Sequence, residues 1–381
     1  MIWAWLIILA ALFVAYANGA NDNFKGVATL FGSGTADYRK ALAWATITTF
    51  VGSLTAFFFA AKLIKTFSGK ELVPDALAAD PRFLLAVALA VSWTVIIATL
   101  TGIPISTTHS LMGALVGAGL VAIGPHLGWS TLGRNFFIPL LLSPFLAIVL
   151  TVFVYSLLRF SRLQMGIGKN TCVCMGKQTI AVPSLVNPSG HHFTVAEPQS
   201  FGIVVDDTKA CQAISIERYS GQLVGVDVQK ILDGLHFISA GAVCFARGLN
   251  DTPKIVAIAL AAGIIGLKVN IILVAVMMAL GGILNAKRVA QTMSDRITKM
   301  NHGQGLSANF ITSLLVILAS WLGLPVSTTH VSCGSLFGIG LVNGKANWKT
   351  IKGILSAWVL TLPISALFAG IFYSGFRMIK G

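Results

Sequence analysis

One stretch of this chain occurs twice, and that duplication restricts the available folds more than any other feature. Residues 102 to 121 read GIPISTTHSLMGALVGAGLV, and residues 323 to 342, which lie 221 positions later, read GLPVSTTHVSCGSLFGIGLV. The copies agree at twelve positions, among them Pro104/Pro325, Ser106/Ser327, Thr107/Thr328, Thr108/Thr329 and His109/His330. In each, a proline leads into three hydroxyl side chains and a histidine, and an apolar run with closely spaced glycines follows. Proline suits the entry to a helix and Ser or Thr caps it, so each copy is expected to start a helix at or near STTH. The free N–H groups and positive dipole end there make a ready anion site.

The solvent of this fold follows from composition. Hydrophobic residues make up 55% of the 381 positions and charged residues only 10%, far below the roughly 25% charged of a soluble domain. Apolar segments of bilayer-crossing length recur near residues 2–18, 41–61, 83–100, 103–123 and 136–158, and return after a polar middle from about residue 231 onward. The chain is expected to be an all-α polytopic membrane protein of the cell (plasma or inner) membrane. The first twenty residues lack a basic leader and read as a retained first helix rather than a secretory signal. The net charge of +14 comes from basic residues grouped near the ends of spans, as at a headgroup boundary, and implies no nucleic acid. Cys244 and Cys333 lie in apolar segments, and five cysteines in all suggest no disulfide framework.

The halves repeat elsewhere too. YANGANDNFKGVA, from Tyr16, matches FARGLNDTPKIVA, from Phe245, sharing Ala17/Ala246, Gly19/Gly248, Asn21/Asn250, Asp22/Asp251, Lys25/Lys254, Val27/Val256 and Ala28/Ala257. The expected organisation is an N-terminal membrane repeat over 1–159, a small polar insert over 160–230 and a C-terminal repeat over 231–381, with about ten to twelve membrane helices counting half-helices. If each half crosses an odd number of times, the repeats are inverted. Duplicated halves whose apolar segments are interrupted by Gly and Pro point to a secondary transporter with its site where broken helices meet. In the insert, TIAVPS and FGIVVDD read as short strands, and Cys172-Val-Cys174 with His191, His192 and Cys211 lacks the usual zinc spacing, so a structural role is favoured there over a metal site.

A carboxylate inside a membrane segment costs several kcal/mol and marks a pathway, relay or ion site. Asn21-Asp22 and Asn250-Asp251 supply the oxygens that a hard cation such as sodium takes, although the same aspartates could carry protons. Two STTH turns facing each other would offer six hydroxyls and several N–H groups to a tetrahedral oxyanion, without a buried arginine clamp that would hold it too strongly. His109 and His330 are expected to order their neighbours rather than to hold the anion. Lys25 and Lys254 either pair with the nearby aspartates or snorkel to an interface.

The paired G-x-N-D and P-x-S-T-T-H segments resemble the inorganic phosphate transporter family, whose members include sodium- and proton-coupled symporters. The resemblance spans both membrane halves. It implies uptake of inorganic phosphate driven by a cation gradient through two inverted repeats around a central site; sodium is the expected coupling ion, and neither enzyme activity nor a cofactor is expected. Ser106, Thr107, Thr108, Ser327, Thr328 and Thr329 would lie at the phosphate, and Asn21, Asp22, Asn250 and Asp251 at the ions. The chain departs from the family at Asn23-Phe24, beside the ion residues, so proton coupling, and then metal-phosphate symport, stay open. A sulfate transporter, a passive anion channel and a membrane hydrolase using Ser106, His109 and Asp22 are the remaining classes. The lipid bilayer, phosphate and sodium are the expected partners, and a homodimer is compatible with them.

Overall fold

The computed structural model describes residues 1–59, 61–67, 69, 72–166, 171–178, 185–186, 192–193, 200–207 and 224–379. Its helices in the first half are α1 (Ile2–Asp22), α2 (Ala28–Gly32), α3 (Tyr38–Phe59), α4 (Ala61–Phe67), α5 (Asp75–Ala78), α6 (Pro81–Thr101), α7 (Thr107–Ile123) and α8 (Trp129–Gln164). The second half gives α9 (Val228–Leu260), α10 (Leu267–Asn285), α11 (Lys287–Gln291), α12 (His302–Leu322), α13 (Thr328–Asn343) and α14 (Trp348–Met378). Seven of them, α1, α3, α6, α8, α10, α12 and α14, are long and apolar enough to cross a bilayer. The shorter α7 and α13 and the 33-residue α9 complete the helical membrane part among the described residues. The chain is an all-α polytopic, multi-pass membrane protein.

The repeat visible in the sequence is a repeat of elements. Moving α6 forward by 221 residues reproduces the bounds of α12, and moving α3 forward by 229 starts it at Leu267, where α10 begins. Both members of the first pair are capped at the start by a side-chain oxygen and end at a left-handed glycine. Asp80 caps α6 by accepting from Arg82 N at 2.9 Å, and Asn301 with Gln304 forms a capping box on α12. Gly102 and Gly323 then end the two helices in the left-handed region, each at φ 75°. One difference breaks the symmetry. The first Asn-Asp segment ends α1 and is followed by a turn over residues 23–27, whereas the second lies within α9, which runs unbroken through Pro253. Proline inside a membrane helix is tolerated where neighbours re-satisfy the freed carbonyl.

The halves exchange packing partners. At Gly19 an added Cβ would lie 1.9 Å from Met278 O, and at Gly281 2.0 Å from Tyr16 O, so α1 crosses α10 of the other repeat backbone to backbone. The equivalent crossing of α9 on α3 uses Gly248 and Gly52 against Thr49 O and Phe245 O. Small residues permit this approach, which gains dispersion that larger side chains would block. The glycines of the STTH helices serve likewise: Gly113 and Gly117 seat α7 on α14, and Gly334 and Gly338 seat α13 on α8. Each repeat therefore supplies one wall of the other.

Residues 1–156 and 236–381 gather into one compact unit and residues 157–235 into a second. Within the second unit, strand β1 (Thr171–Gln178) pairs antiparallel with β4 (Ser200–Asp207) on one side and β5 (Val224–Asp227) on the other. Strands β2 (Leu185–Val186) and β3 (His192–Phe193) form a separate pair. The expected strand FGIVVDD is β4. TIAVPS, His191 and Cys211 lie outside the described residues.

Candidate functional site

Ser106 and Ser327 begin the site by capping. Their side chains accept from His109 N at 3.1 Å and His330 N at 3.2 Å, with near-identical backbones of φ −98°, ψ 115° and φ −96°, ψ 114°. That geometry starts α7 and α13 where the sequence places them, and it leaves each serine O–H to donate elsewhere. Thr107 accepts from Asn18 Nδ2 at 3.0 Å, and Thr328 is buried in the matching turn.

The third hydroxyl of each run ties the two repeats together. Thr329 donates to Ile105 O at 2.8 Å and Thr108 to Val326 O at 3.4 Å, so each turn reaches the main chain just ahead of the other. Lys25 donates to Thr329, and Lys254 donates to Thr108 at 2.8 Å. The two anion-type helix ends therefore meet, and each receives an ammonium from the Asn-Asp segment of the opposite half.

Asn21 and Asn250 hold the turns in place. Asn21 donates to Thr99 Oγ1 at 3.0 Å and Ile103 O at 3.1 Å, while its own carbonyl accepts from Ile105 N at 3.1 Å. Asn250 donates to Val326 O at 3.2 Å and accepts from Ser320, the repeat partner of Thr99. Asp22 is salt-bridged to Lys25, and Asp251 to Lys254 at 3.1 Å. Both lysines pair with carboxylates; neither snorkels, and both are buried. Asn21, Asp22, Asn250, Asp251 and the six hydroxyl residues of the two STTH turns are all buried.

Two further residues belong to the cluster. Asn18 Nδ2 lies 3.2 Å from Asp22 Oδ2 and 3.3 Å from Asp251 Oδ2, bridging the carboxylates of the two repeats. Arg247 is 1% exposed, donates to Asn18 Oδ1 at 3.3 Å and Asn23 Oδ1 at 3.2 Å, and has Nε 3.8 Å from Asp251. This buried arginine is not anticipated from the sequence; among the described residues its partners are Asn18, Asn23 and Asp251 and not the hydroxyls of the STTH turns. The signal was present: Asn18 and Arg247 are repeat partners, flanked by the matched Ala17/Ala246 and Gly19/Gly248. Reading only the identities passes over the one position where the copies differ in charge.

The histidine rings stack with aromatic neighbours. His109 and His330 lie with ring centroids 4.3 Å apart, and His330 stacks on Trp358 at 3.8 Å, whose indole donates to Pro104 O at 3.3 Å. The two rings pack against each other and against Trp358, while His109 Nδ1 and His330 Nε2 are buried without a hydrogen-bond partner among the described residues. Cys244 and Cys333 are buried free thiols.

The model of the phosphate transporter family matches residues 18–369 of the chain. The chain belongs to that family. Among relatives, a Bacillus subtilis protein named "Probable low-affinity inorganic phosphate transporter" is 29% identical, over 98% of this chain and 97% of its own length. A protein of the same name from Rhizobium meliloti is 26% identical, over 96% and 94%. A solved structure described as "The sodium-dependent phosphate transporter" superposes with a TM-score of 0.77 at 22% identity and covers both chains completely, which establishes a shared fold. The family is one of phosphate transporters, not of enzymes.

Proposed function

We propose that this chain imports inorganic phosphate by symport with cations, the anion held between Ser106–Thr108 and Ser327–Thr329. One observation carries the reading: two helix N-termini from opposite repeats converge on a buried cluster that also contains both Asn-Asp pairs. Hydroxyls and main-chain N–H groups suit a tetrahedral oxyanion that must also be released. The relatives named "Probable low-affinity inorganic phosphate transporter" support it.

In the sodium form of the proposal, ions enter beside Asn21-Asp22 and Asn250-Asp251 and offset the repulsion between phosphate and the carboxylates, so that each ligand favours the other. The sodium dependence named for the structural neighbour supports this form. A proton-coupled form is favoured by a different observation: the oxygens a sodium ion would need are ligands of the Lys25 and Lys254 ammoniums. Labelled phosphate uptake into liposomes, with sodium and proton gradients imposed separately, tests the proposal. Uptake driven by either gradient supports symport; flux indifferent to both would make the protein a channel.

A further inference from the structure

We propose that Lys25 and Lys254 are tethered counter-cations, whose ammonium groups fill the two coupling-ion positions beside Asn21-Asp22 and Asn250-Asp251 and charge the anion site without sodium. The inference rests on the phosphate-import reading and selects its proton form.

The ligand sets make the case. Around Lys25 Nζ stand an amide oxygen (Asn21 Oδ1, 3.0 Å), a carboxylate (Asp22), a main-chain carbonyl (Ile105 O, 2.9 Å) and a hydroxyl (Thr329). Around Lys254 Nζ stand a carboxylate (Asp251 Oδ1, 3.1 Å), a main-chain carbonyl (Val326 O, 3.0 Å) and a hydroxyl (Thr108, 2.8 Å). These all-oxygen sets are what a hard alkali cation takes in place of water. An ammonium is a compact positive charge with three donors and no acceptor, so it satisfies the same oxygens, and an ion cannot share the space.

Position also matters. Each ammonium bridges the Asn-Asp segment of one repeat and the anion-facing threonine of the other, so phosphate bound at Thr108 and Thr329 lies against both charges. As a rotatable point charge rather than a rigid fork, lysine attracts the anion without clamping it.

The charge balance then selects the cargo. Asp22 and Asp251 contribute two negative charges to the cluster, and Lys25, Lys254 and Arg247 three positive ones, leaving one positive charge. A dihydrogen phosphate monoanion neutralises it with no further ion. Hydrogen phosphate plus one proton is the same species, so the proton travels on the substrate and needs no titrating side chain.

The test uses the full-length protein in detergent and isothermal titration calorimetry in sodium chloride or choline chloride. For the wild type we expect no sodium binding, and a phosphate affinity equal in the two salts within about twofold. For Lys25→Met/Lys254→Met, phosphate affinity in choline should fall roughly tenfold or more through loss of two charged contacts. Sodium should bind this variant and recover part of the loss, because the emptied oxygen sets admit the ion. Sodium binding to the wild type, or a phosphate affinity that sodium raises tenfold, would overturn the inference. Should the double variant not fold, Lys254→Met alone and the wild-type sodium titration decide it. Absence of phosphate binding in every sample would instead remove the import reading, while the sodium titrations still judge the lysines.

Discussion

Replacing the two bridging threonines by valine should weaken phosphate binding equally but destabilise the protein unequally. Valine keeps the shape and removes the hydroxyl. In Thr329→Val, the Lys25 ammonium retains Asn21 Oδ1 at 3.0 Å, Asp22 and Ile105 O at 2.9 Å, three acceptors for its three N–H groups. The cost to the fold is the two ordinary hydrogen bonds of the lost hydroxyl, from Lys25 and to Ile105 O, about 1 kcal/mol each, with no ammonium N–H left unsatisfied. In Thr108→Val, Lys254 retains only Asp251 Oδ1 at 3.1 Å and Val326 O at 3.0 Å. One buried N–H is then unsatisfied, which adds about 1–3 kcal/mol. For the ligand, each variant loses a hydroxyl donor to an anion, worth about 1.5–3 kcal/mol, or roughly ten- to a hundredfold in Kd. Calorimetric phosphate titration and thermal unfolding of the detergent-purified variants measure both effects, with Thr108→Ser and Thr329→Ser as controls that restore the hydroxyl. Equal losses of stability, or an unchanged Kd in both valine variants, would refute the reasoning.

Other outcomes follow from the same geometry. Asp22→Asn and Asp251→Asn should abolish uptake with the protein still in the membrane, and each should lower stability by about 3–5 kcal/mol because a buried ammonium loses its carboxylate; wild-type uptake in either would remove the carboxylates from the mechanism. Arg247→Gln should take the cluster from one positive charge to none and weaken phosphate binding roughly tenfold, read by the same titration. Gly281→Ala should lower the melting temperature through an overpacking cost of about 1–3 kcal/mol, since its Cβ would lie 2.0 Å from Tyr16 O. Gly375→Ala, where nothing lies within 4 Å, is the control that should melt like the wild type.

Much of this architecture was legible because the chain records it twice. The Ser-Thr-Thr caps, the ends of α6 and α12 and the Asn-Asp pairs are local features, set by residues within a turn of one another, and duplication separates them from chance. The exchange of partners was not legible. That α1 packs on α10, and that Lys25 reaches Thr329 rather than Thr108, depends on how the halves interlock, and spacing along the chain carries no trace of it. Arg247 escaped for another reason. Comparing repeats rewards identity, and Asn18/Arg247 matters because the copies differ there. The broken end of α1 against the unbroken α9 is a second such difference, and it runs against local propensity, since Pro253 lies in the unbroken copy.

The most direct test is labelled phosphate uptake by the wild-type protein in liposomes with choline replacing all sodium, in the presence and absence of an inward proton gradient. Uptake that persists without sodium and rises with the proton gradient is the predicted result. Uptake that appears only when sodium is restored would contradict the assignment of Lys25 and Lys254 as the site's cations, and no uptake under either condition would contradict phosphate import itself.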